Sequence, residues 1–578
     1  MSRDPIDIII GIDLYGMLIL DGIRKGSANE PVAQNTALGW ILFGPISPSL
    51  NRHSPALPVH HSNIEDLDSV LRRFWEVKEL PQSPHLTLDE IRCEEHFVAT
   101  HSRTDDGRYI VRLPFKTNNS VSLGESRAGA FACLQRLERR FLRQLTSASE
   151  YSNFLDEYRT LGHMNQIQNP ARPSLTGQSY YIPHHAVIRT SSATTRLRVV
   201  FNASSPSSNG TSLNDLLLVG PKLQIDITTV LLQWRQHRYV YIADIEKMYR
   251  QILVDPRDTD FQRILWRASP DVPVDEYRLM TVTYGTAAAP YLALRVLKQL
   301  TEDEGSHFPL AVPILNSQIY VDDCIFGADD KTLARETRNQ LIALLSKGGF
   351  RLRKWASNCD DLLTDLDPSD HGLVNTQMLT GDEQLKVLGL AWNPMSDVFY
   401  FQVNLDQELS KTKRAILSTI SKLFDPLGWA APIVITAKIF MRQLWLLKRQ
   451  WDEEIPDDYF AQWQNYHERL QNLDHLRIPR WTANSAATVS RVLHGFSDAS
   501  TKAYAATVYL RLVSNDGSVT VMLLMAKAKV TPLKTLSIPR LELSAALLLA
   551  RLIHVVQSTL DLSASKCFCW TDSTITLA

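Results

Sequence analysis

The feature that most constrains this chain is a pair of adjacent aspartates inside an apolar segment, IYVDDCI at residues 319–325. Strand-forming residues on both sides of Asp322 and Asp323 predict a tight hairpin whose turn holds both carboxylates out of the sheet. Burying two negative charges among apolar side chains is costly unless a cation compensates them. Adjacent carboxylate oxygens suit Mg²⁺. The pair therefore indicates a divalent-cation site, although four letters such as YVDD also occur by chance in a chain of 578 residues.

A further acidic position lies upstream, in the segment YVYIADIEKMY at residues 239–249. A β-strand there delivers one aspartate, Asp244, at its end, and a short helical segment follows. Sites that use two metal ions need carboxylates from more than one element, which hold the ions about 4 Å apart. Asp244, Asp322 and Asp323 meet this requirement if their strands are neighbours in one sheet.

Length and composition place these motifs in a multidomain globular protein. A chain of 578 residues is too long for one hydrophobic core, so about three or four domains are expected. The net charge of −1 means that any nucleic-acid binding depends on local basic surfaces. The six cysteines have no paired spacing that closes a zinc site, which favours reduced thiols in a cytoplasmic protein. No signal peptide opens the chain, and the longest apolar stretch, residues 545–556, contains Arg551 and His554, so we expect a soluble protein without a membrane span.

The hydrophobic pattern changes several times along the chain. Short β-like runs with glycine occupy residues 6–44, and a stretch rich in Pro, His and Ser follows as a linker. Helical spacing prevails over residues 64–180, for example over 128–145. Strands then alternate with helices as far as residue 393, residues 405–475 are helical, and a β-rich segment begins at Ser490.

In this order the motifs resemble the palm of the reverse transcriptases of BEL/Pao-type LTR retrotransposons. The resemblance implies an RNA-directed DNA polymerase in which Asp244, Asp322 and Asp323 are catalytic and bind two Mg²⁺ ions, with Mn²⁺ as an alternative. One ion then activates the primer 3′-hydroxyl and the other carries the triphosphate. The implied partners are an RNA and DNA template–primer and deoxynucleoside triphosphates, within a cytoplasmic retroelement particle. The residues leave the oligomeric state open.

Further motifs extend this resemblance to the nucleotide pocket. The segment TTRLRVVFNASS at residues 194–205 resembles the fingers motif, in which Arg198 matches the arginine that contacts the incoming triphosphate. Tyr249 matches the aromatic residue that excludes a ribose 2′-hydroxyl, although a tyrosine here also fits a hydrophobic core. The segment TVTYGTAAAPYLALR at residues 281–295 resembles the motif whose Tyr284, Gly285 and Pro290 shape the pocket.

Two later segments extend the resemblance to the family, and one residue, Asn202, differs from it. Residues 348–358, GGFRLRKWASN, resemble the motif whose lysine, here Lys354, approaches the leaving pyrophosphate, although a lone lysine is equally compatible with a solvated surface. Residues 385–393, LKVLGLAWN, resemble the primer grip. The family usually has aspartate where this chain has Asn202, so one charge beside Arg198 is lost.

The N-terminal residues resemble the C-terminal part of a retropepsin-like aspartic protease. The resemblance rests on two segments, IDIIIGID at residues 6–13 and TALGWILFG at residues 36–44. Such proteases need an Asp-Thr-Gly or Asp-Ser-Gly loop, which residues 1–45 lack, so Asp13 fits a structural role. We therefore expect no proteolytic activity from this segment.

The C-terminal residues resemble ribonuclease H. Asp498 ends a first strand, Glu542 lies on a later helix and Asp572 ends a later strand. The resemblance implies that these carboxylates are metal ligands, that a fourth ligand is missing, and that hybrid cleavage is negligible. Before them, the block SKLFDPLGWAAP at residues 421–432 is typical of the BEL/Pao region, whose helices suit a basic thumb that follows a nucleic-acid backbone. The basic and aromatic residues expected to do so are Lys411, Lys413, Arg414, Trp445, Lys448 and Arg449.

The implied fold class is α+β multidomain: a right-hand polymerase with fingers, a ferredoxin-like palm and a thumb, between a truncated retropepsin-like β segment and a truncated ribonuclease H-like α/β domain. The rival hypothesis is a non-catalytic nucleic-acid-binding relic or scaffold fragment. The expected boundaries are 1–45 retropepsin-like, 46–110 linker and helical segment, 111–235 fingers, 236–400 palm and primer grip, 401–485 thumb and connection, and 486–578 ribonuclease H-like and incomplete.

Overall fold

The computed structural model describes residues 19–25, 32–37, 39–43, 86–117, 122–168, 178–188, 197–372, 385–403, 409–447, 449–532 and 536–577. The chain divides into two compact units, Met1–Glu79 and Leu80–Ala578. In the first unit, β1 (Ile19–Lys25), β2 (Val32–Thr36) and β3 (Gly39–Phe43) form an antiparallel sheet in chain order. Residues 6–13 lie outside the described residues, so the protease resemblance stays a prediction.

The second unit begins with a mixed region of helices and short strands. Helix α1 starts with a capping box, in which Thr87 and Glu90 satisfy each other's backbone amides. The expected helix over residues 128–145 is present, but it ends at Phe141 and another begins at Leu145 because Gln144 has non-helical angles. The elements are α1 (Leu88–Thr100), β4 (Ser102–Arg103), β5 (Tyr109–Val111), α2 (Arg127–Phe141), α3 (Leu145–Thr160), β6 (Met164–Gln166), β7 (His184–Ile188), β8 (Leu197–Phe201), α4 (Leu213–Leu216) and α5 (Ile227–Trp234).

A four-stranded antiparallel sheet follows, with strand order β13-β14-β9-β15. Taken with α7 and α9, it has the order β-α-β-β-α-β of the ferredoxin-like motif that the sequence predicts. The elements are β9 (Tyr239–Ile245), α6 (Met248–Gln251), β10 (Leu253–Val254), β11 (Arg263–Trp266), β12 (Asp275–Leu279), α7 (Ala289–Glu304), α8 (Val312–Ser317), β13 (Ile319–Tyr320), β14 (Asp323–Ala328), α9 (Lys331–Lys347) and β15 (Leu352–Ser357).

The two faces of this sheet pack into different cores, because side chains alternate along a strand. Tyr241, Ala243 and Ile245 join the core that contains α7 and α9. Val240 and Ile325 join a second core on the opposite face. The row that contains Val240 continues along β9 to Asp244, so the catalytic candidates extend from the face opposite the two helices.

The second core continues into a small sheet with order β16-β17-β18-β19, and three helices pack together in a third core through Ile416, Phe440 and Trp463. The hairpin formed by β16 and β17 is the segment that resembles the primer grip. Strand β19 joins from far along the chain, since Phe399 pairs with Ile478. The elements are β16 (Leu385–Val387), β17 (Leu390–Asn393), β18 (Val398–Tyr400), α10 (Lys413–Ser421), α11 (Ala431–Leu446), α12 (Asp457–Leu470) and β19 (Arg477–Pro479).

The last sheet has order β22-β21-β20-β23, in which β23 runs parallel to β20 and the other pairs are antiparallel. Among the described residues one helix, α13, is long and apolar enough to cross a membrane by length and composition. Its buried side chains pack on β20 and β21, so we interpret it as a core helix. The elements are β20 (Thr488–Ala499), β21 (Ala503–Ser514), β22 (Val519–Val530), α13 (Ile538–Leu560), β23 (Lys566–Trp570) and α14 (Thr574–Leu577).

Two buried arginines join these regions. The Arg235 guanidinium donates to the carbonyls of Pro479 and Arg480 and to those of Leu523 and Leu524 on β22. Arg480 forms an ion pair with Asp397 at 2.6 Å. It also donates to the carbonyls of Trp234, His237 and Arg238. Helix α5, the β16–β19 sheet and the last sheet are therefore parts of one packed body.

Candidate active sites

The sequence predicts a hairpin whose turn holds both aspartates, and the structure has the hairpin with only Asp322 in its turn, because Asp323 is the first residue of β14. Tyr320 pairs with Asp323 across the hairpin, which leaves Val321 and Asp322 as the turn. Val321 has a φ of 57°, a conformation that costs a branched residue about 1–2 kcal/mol. The Gln224 side chain offsets this cost by accepting from Val321 N at 2.8 Å and donating to Ile319 O at 3.3 Å. No sequence motif pointed to Gln224, because its role depends on a contact 97 residues away.

The strand register brings the three aspartates together. Asp323 on β14 lies directly opposite Asp244 on β9, and Ile245 N donates to the Asp322 carbonyl at 2.8 Å. Like charges at opposed positions of a sheet repel. Burial and the charges of Asp322 and Asp244 accordingly raise the pKa of Asp323 to about 7. Burial and Asp244 also raise the pKa of Asp322, and Lys354 and Arg198 act in the opposite direction.

Lys354 reaches this site through a β-bulge. Arg353 pairs with Asp244 and Ala356 pairs with Ile242, so β15 has one extra residue between these pairs. Lys354 occupies the bulge with a φ of 57°, and its Nζ donates to Asp244 Oδ2 at 2.9 Å. The lysine that the resemblance assigns to the pyrophosphate thus bonds to a catalytic candidate here.

Two further predicted nucleotide-binding residues, Arg198 and Tyr249, lie close to Asp322, and Tyr284 lies near Arg198. Arg198 is exposed on β8, close enough to lower the pKa of Asp322. Tyr249 lies on α6, and burial followed by the charge of Asp322 raises its pKa. Burial raises the pKa of Tyr284 to about 12, and its hydroxyl donates to the Val199 carbonyl at 2.9 Å. Asn202, at the position of the lost charge, accepts from Ser204 N at 3.2 Å and forms a local turn.

Gly285 occupies a position that only glycine fits. Its φ is 101°, and an added Cβ would lie 2.2 Å from the Phe201 carbonyl oxygen. Asn214 holds this loop by donating to Gly285 O at 3.0 Å and accepting from Ala287 N at 2.8 Å. The sequence contained no signal for Asn214. Pro290, the other predicted pocket residue, lies in the first turn of α7, where proline is tolerated.

A second acidic site lies in the last sheet. Asp498, Glu542 and Asp572 offer ligand atoms that all lie within 4.8 Å of one another. Among the described residues this is the one group of three or more potential metal ligands at that spacing, and the aspartates of the first site do not form such a group. Asp244 instead bonds to Lys354.

Gly495 explains how this second site assembles. A Cβ at Gly495 would lie 2.6 Å from Leu549 Cδ1, so the glycine lets α13 approach β20 closely. Asp498 is three strand residues beyond Gly495, about 10 Å, and Glu542 is seven helical residues before Leu549, also about 10 Å. Phe496 pairs with Trp570, which brings the segment after β23, with Asp572, level with Asp498.

The electrostatics of the second site favour a cation. Glu542 is buried, and its Oε2 has no hydrogen-bond partner. Burial, followed by the charges of Asp498 and Asp572, raises the pKa of Glu542. A buried carboxylate oxygen without a donor is costly, and a divalent ion would remove both the cost and the repulsion.

The basic residues expected to follow nucleic acid in residues 401–485 have local partners. Lys411 pairs with Asp457 at 3.1 Å, Arg414 with Asp452 at 2.6 Å, and Arg449 with Glu453 at 2.9 Å. Lys413 is buried, and its Nζ donates to the Arg449 carbonyl. Lys448 lies outside the described residues. The charge argument for this surface is therefore weaker than the sequence indicated.

Comparisons with known proteins bear on the same regions. The family model of the Pao retrotransposon-like RNaseH-like domain matches residues 412–573. No curated protein matches the chain. A foamy viral protease–reverse transcriptase, solved in complex with double-stranded DNA, is similar in structure, with a TM-score of 0.45 and 11% identity over 87% of this chain and 79% of that chain. Residues 412–573 are therefore similar to the ribonuclease H-like domain of Pao retrotransposons, and the acidic group Asp498, Glu542 and Asp572 lies within this stretch.

Proposed function

We propose that this protein is an RNA-directed DNA polymerase, which adds deoxynucleotides to a primer 3′-hydroxyl. The observation that carries the proposal is the register of β9 and β14, which sets Asp244 opposite Asp323 and beside Asp322 at one end of a ferredoxin-like sheet. Carboxylates from two elements at one point are what two-metal nucleotidyl transfer requires.

The residues present fit divalent cations. The pKa of Asp323 is raised to about 7 because three carboxylates share a partly buried site, and positive charge there would remove the repulsion. Asp244, Asp322 and Asp323 would hold the ions, with Mg²⁺ as the natural choice for oxygen ligands. Bound cations would supply Lewis acidity at the primer hydroxyl and charge compensation at the triphosphate.

The protein's own side chains have distinct roles in this proposal. Arg198 binds the triphosphate, since its exposed guanidinium suits phosphate oxygens. Tyr249 lies under the sugar and excludes a 2′-hydroxyl, and Tyr284 with Gly285 forms the wall of the pocket. Lys354 neutralises Asp244 before substrate arrives and then turns to the leaving pyrophosphate.

Primer extension on poly-rA/oligo-dT with Mg²⁺ tests the proposal. We expect extension by the parent chain and its loss, by at least about 1,000-fold, in Asp244→Asn, because an amide supplies no charge to hold the ions. Glu246→Gln is the matched control, since Glu246 is two residues away and pairs with Arg353 at 2.7 Å. Template–primer binding without extension by the parent chain would instead favour the relic or scaffold hypothesis.

A second candidate function is metal-dependent cleavage of the RNA strand of an RNA–DNA hybrid. The close grouping of Asp498, Glu542 and Asp572 favours it, although the sequence alone led us to expect negligible cleavage. A labelled RNA in a hybrid, incubated with Mg²⁺ or Mn²⁺, tests this function. Cleavage that persists in Asp244→Asn and disappears in Asp498→Asn would assign it to the second site, and absence of cleavage by the parent would reject it.

A further inference from the structure

Helix α2 carries a cluster of exposed arginines. Arg136, Arg139 and Arg140 lie at i, i+3 and i+4, which places them on one side of the helix within about 6 Å along its axis, and Arg143 follows in the turn just after the helix ends at Phe141. We call these four residues the arginine face. The opposite side of α2 holds Ala130, Leu134 and Leu137, which are buried in the first core.

The arginine face has no carboxylate partner within the described part of the chain. Arg136 donates to the Ala132 carbonyl and to Cys133 Sγ, and Arg139 donates to the Gln135 carbonyl. Arg140 donates to the Gln144 side chain and to the Ala186 carbonyl. These acceptors are neutral. The nearby carboxylate of Glu138 is already paired with Arg267, at 2.6 Å.

This arrangement differs from that of the basic residues in and beside α10 and α11. Lys411, Arg414 and Arg449 each have a carboxylate within 3.1 Å. Like charges at helical spacing destabilise a helix. Positive side chains in the last turn of a helix interact favourably with its negative C-terminal end. This interaction explains Arg139 and Arg140, which lie in the last turn of α2. It does not account for Arg136, one turn earlier.

The arginine face also lies apart from the first active site. Ala186 and Val199 are on the buried side of the β7–β8 hairpin, in the same core as Leu134 of α2. Arg198 extends from the exposed side of that hairpin. A molecule that contacts the arginine face is therefore outside the pocket formed by Arg198 and the aspartates.

We infer that the arginine face binds the phosphate backbone of the nucleic-acid substrate at a second contact, outside the catalytic pocket. Guanidinium groups match phosphate oxygens in a bidentate geometry. A duplex carries one negative charge per about 1.7 Å of its axis, so even the roughly 6 Å from Arg136 to Arg140 spans several phosphate charges. A membrane surface fits less well, since the apolar side of α2 is in the core. The inference rests on the proposed function only in that the substrate is a nucleic acid.

The test measures equilibrium binding of a labelled RNA–DNA template–primer by the full chain, without nucleotide, from 0.05 to 0.5 M KCl. The variant Arg136→Gln/Arg139→Gln/Arg143→Gln should weaken binding by roughly tenfold or more at low salt. The slope of log Kd against log salt should fall by about 2 to 3, because each lost phosphate contact contributes about 0.9. The Arg→Lys triple variant should keep most of the slope.

The matched control is Lys411→Gln/Arg414→Gln/Arg449→Gln, which removes the same charge from residues that are already paired. We expect a slope close to that of the parent chain. An unchanged slope in the first variant, or an equal loss in the control, would overturn the inference. Single-nucleotide incorporation at saturating template–primer is measured in parallel, since failure of the parent there contradicts the polymerase proposal and leaves the binding result to be judged by itself.

Discussion

The Nζ atom of Lys354 lies 2.9 Å from Asp244 Oδ2, so the first catalytic candidate is neutralised by the protein's own cation. The lysine backbone has a φ of 57° at a β-bulge. Strained residues persist where the surroundings enforce them, and they cluster at functional sites. The bulge is what directs Lys354 to the face of the sheet that carries the aspartates.

Replacing Lys354 should therefore affect both stability and catalysis. We expect Lys354→Gln to lower the unfolding free energy at pH 8 in EDTA by up to about 1 kcal/mol, since the lysine is more than half exposed. Incorporation by the proposed polymerase should fall by about 100-fold, within the range for a lost proton donor. Chemical denaturation and single-turnover kinetics measure the two effects. Lys354→Arg should recover the stability. Parental incorporation rates in Lys354→Gln would show that Lys354 has no role at the site.

The raised pKa of Asp323 predicts a pH dependence of stability. Its folded pKa of about 7 lies above the usual aspartate pKa of about 3.8, so the folded state holds a proton that the unfolded state releases between these values. This contribution is complete below about pH 4 and is lost as the pH rises through 7. Metal-free parent protein should therefore lose up to about 4 kcal/mol relative to Asp323→Asn between pH 4 and pH 8. Parallel curves for the two proteins in EDTA would contradict the prediction.

Tyr249 should set the choice of sugar. Its ring is half-buried and close to Asp322, so removal of the ring leaves room for a 2′-hydroxyl. We expect Tyr249→Ala to reduce the preference for deoxyribonucleotides over ribonucleotides by at least about tenfold, which corresponds to about 1.4 kcal/mol. Tyr249→Phe keeps the ring and should keep the preference. Competition assays with paired dNTP and rNTP substrates measure the ratio, and unchanged discrimination in Tyr249→Ala would locate the gate elsewhere.

The second acidic site should bind a cation independently of the first. In an Asp244→Asn/Asp323→Asn background, we expect Mn²⁺ at about 100 times its Kd to stabilise the fold by about 2.7 kcal/mol. Glu542→Gln should abolish this gain and also raise stability without metal, because it removes a buried repulsive charge. Calorimetric titration and thermal unfolding test both parts. Equal Mn²⁺ binding by the Gln variant would mean that Glu542 is not a ligand.

Arg480 should be among the most sensitive structural positions. Arg480→Met leaves Asp397 without its ion-pair partner and the carbonyls of Trp234 and His237 without a donor. We expect a loss of about 3–5 kcal/mol, as for one partner of a buried pair. Arg477→Met is the control, since Arg477 is exposed, donates to local carbonyls and stacks over the Tyr400 ring, and has no carboxylate partner among the described residues. A loss of less than about 1 kcal/mol in Arg480→Met would show that these contacts are dispensable.

Elements with a local cause could be predicted from the sequence. The hairpin around Asp322 follows from strand-forming residues beside a turn, and the placement of Glu542 on a helix follows from apolar spacing in residues 538–560. The resemblance also brought Asp498, Glu542 and Asp572 into one group that the structure reproduces as a cluster.

Features that depend on distant contacts could not be predicted in this way. The β-bulge at Lys354 is defined by pairing with Asp244, 110 residues away. Strand β19 forms only because β18 offers an edge, and Arg480 is a core residue only because Asp397 meets it. A basic side chain looks the same in sequence whether a carboxylate neutralises it, as at Arg414, or not, as at Arg139.

One core joins Val240 of β9, Trp392 of β17 and Leu510 of β21. This shared core restricts where genes that encode such a chain can recombine. A ribonuclease H-like domain that is joined only by a flexible linker can be exchanged by recombination without disturbing the packing of neighbouring domains. In this protein, an exchanged domain must also supply carbonyl acceptors for the Arg235 guanidinium, as Leu523 and Leu524 do, and must pack against α5. Crossovers that preserve this core are therefore expected outside residues 230–562, so that the sheet with Asp244 and most of the ribonuclease H-like part are inherited as one block.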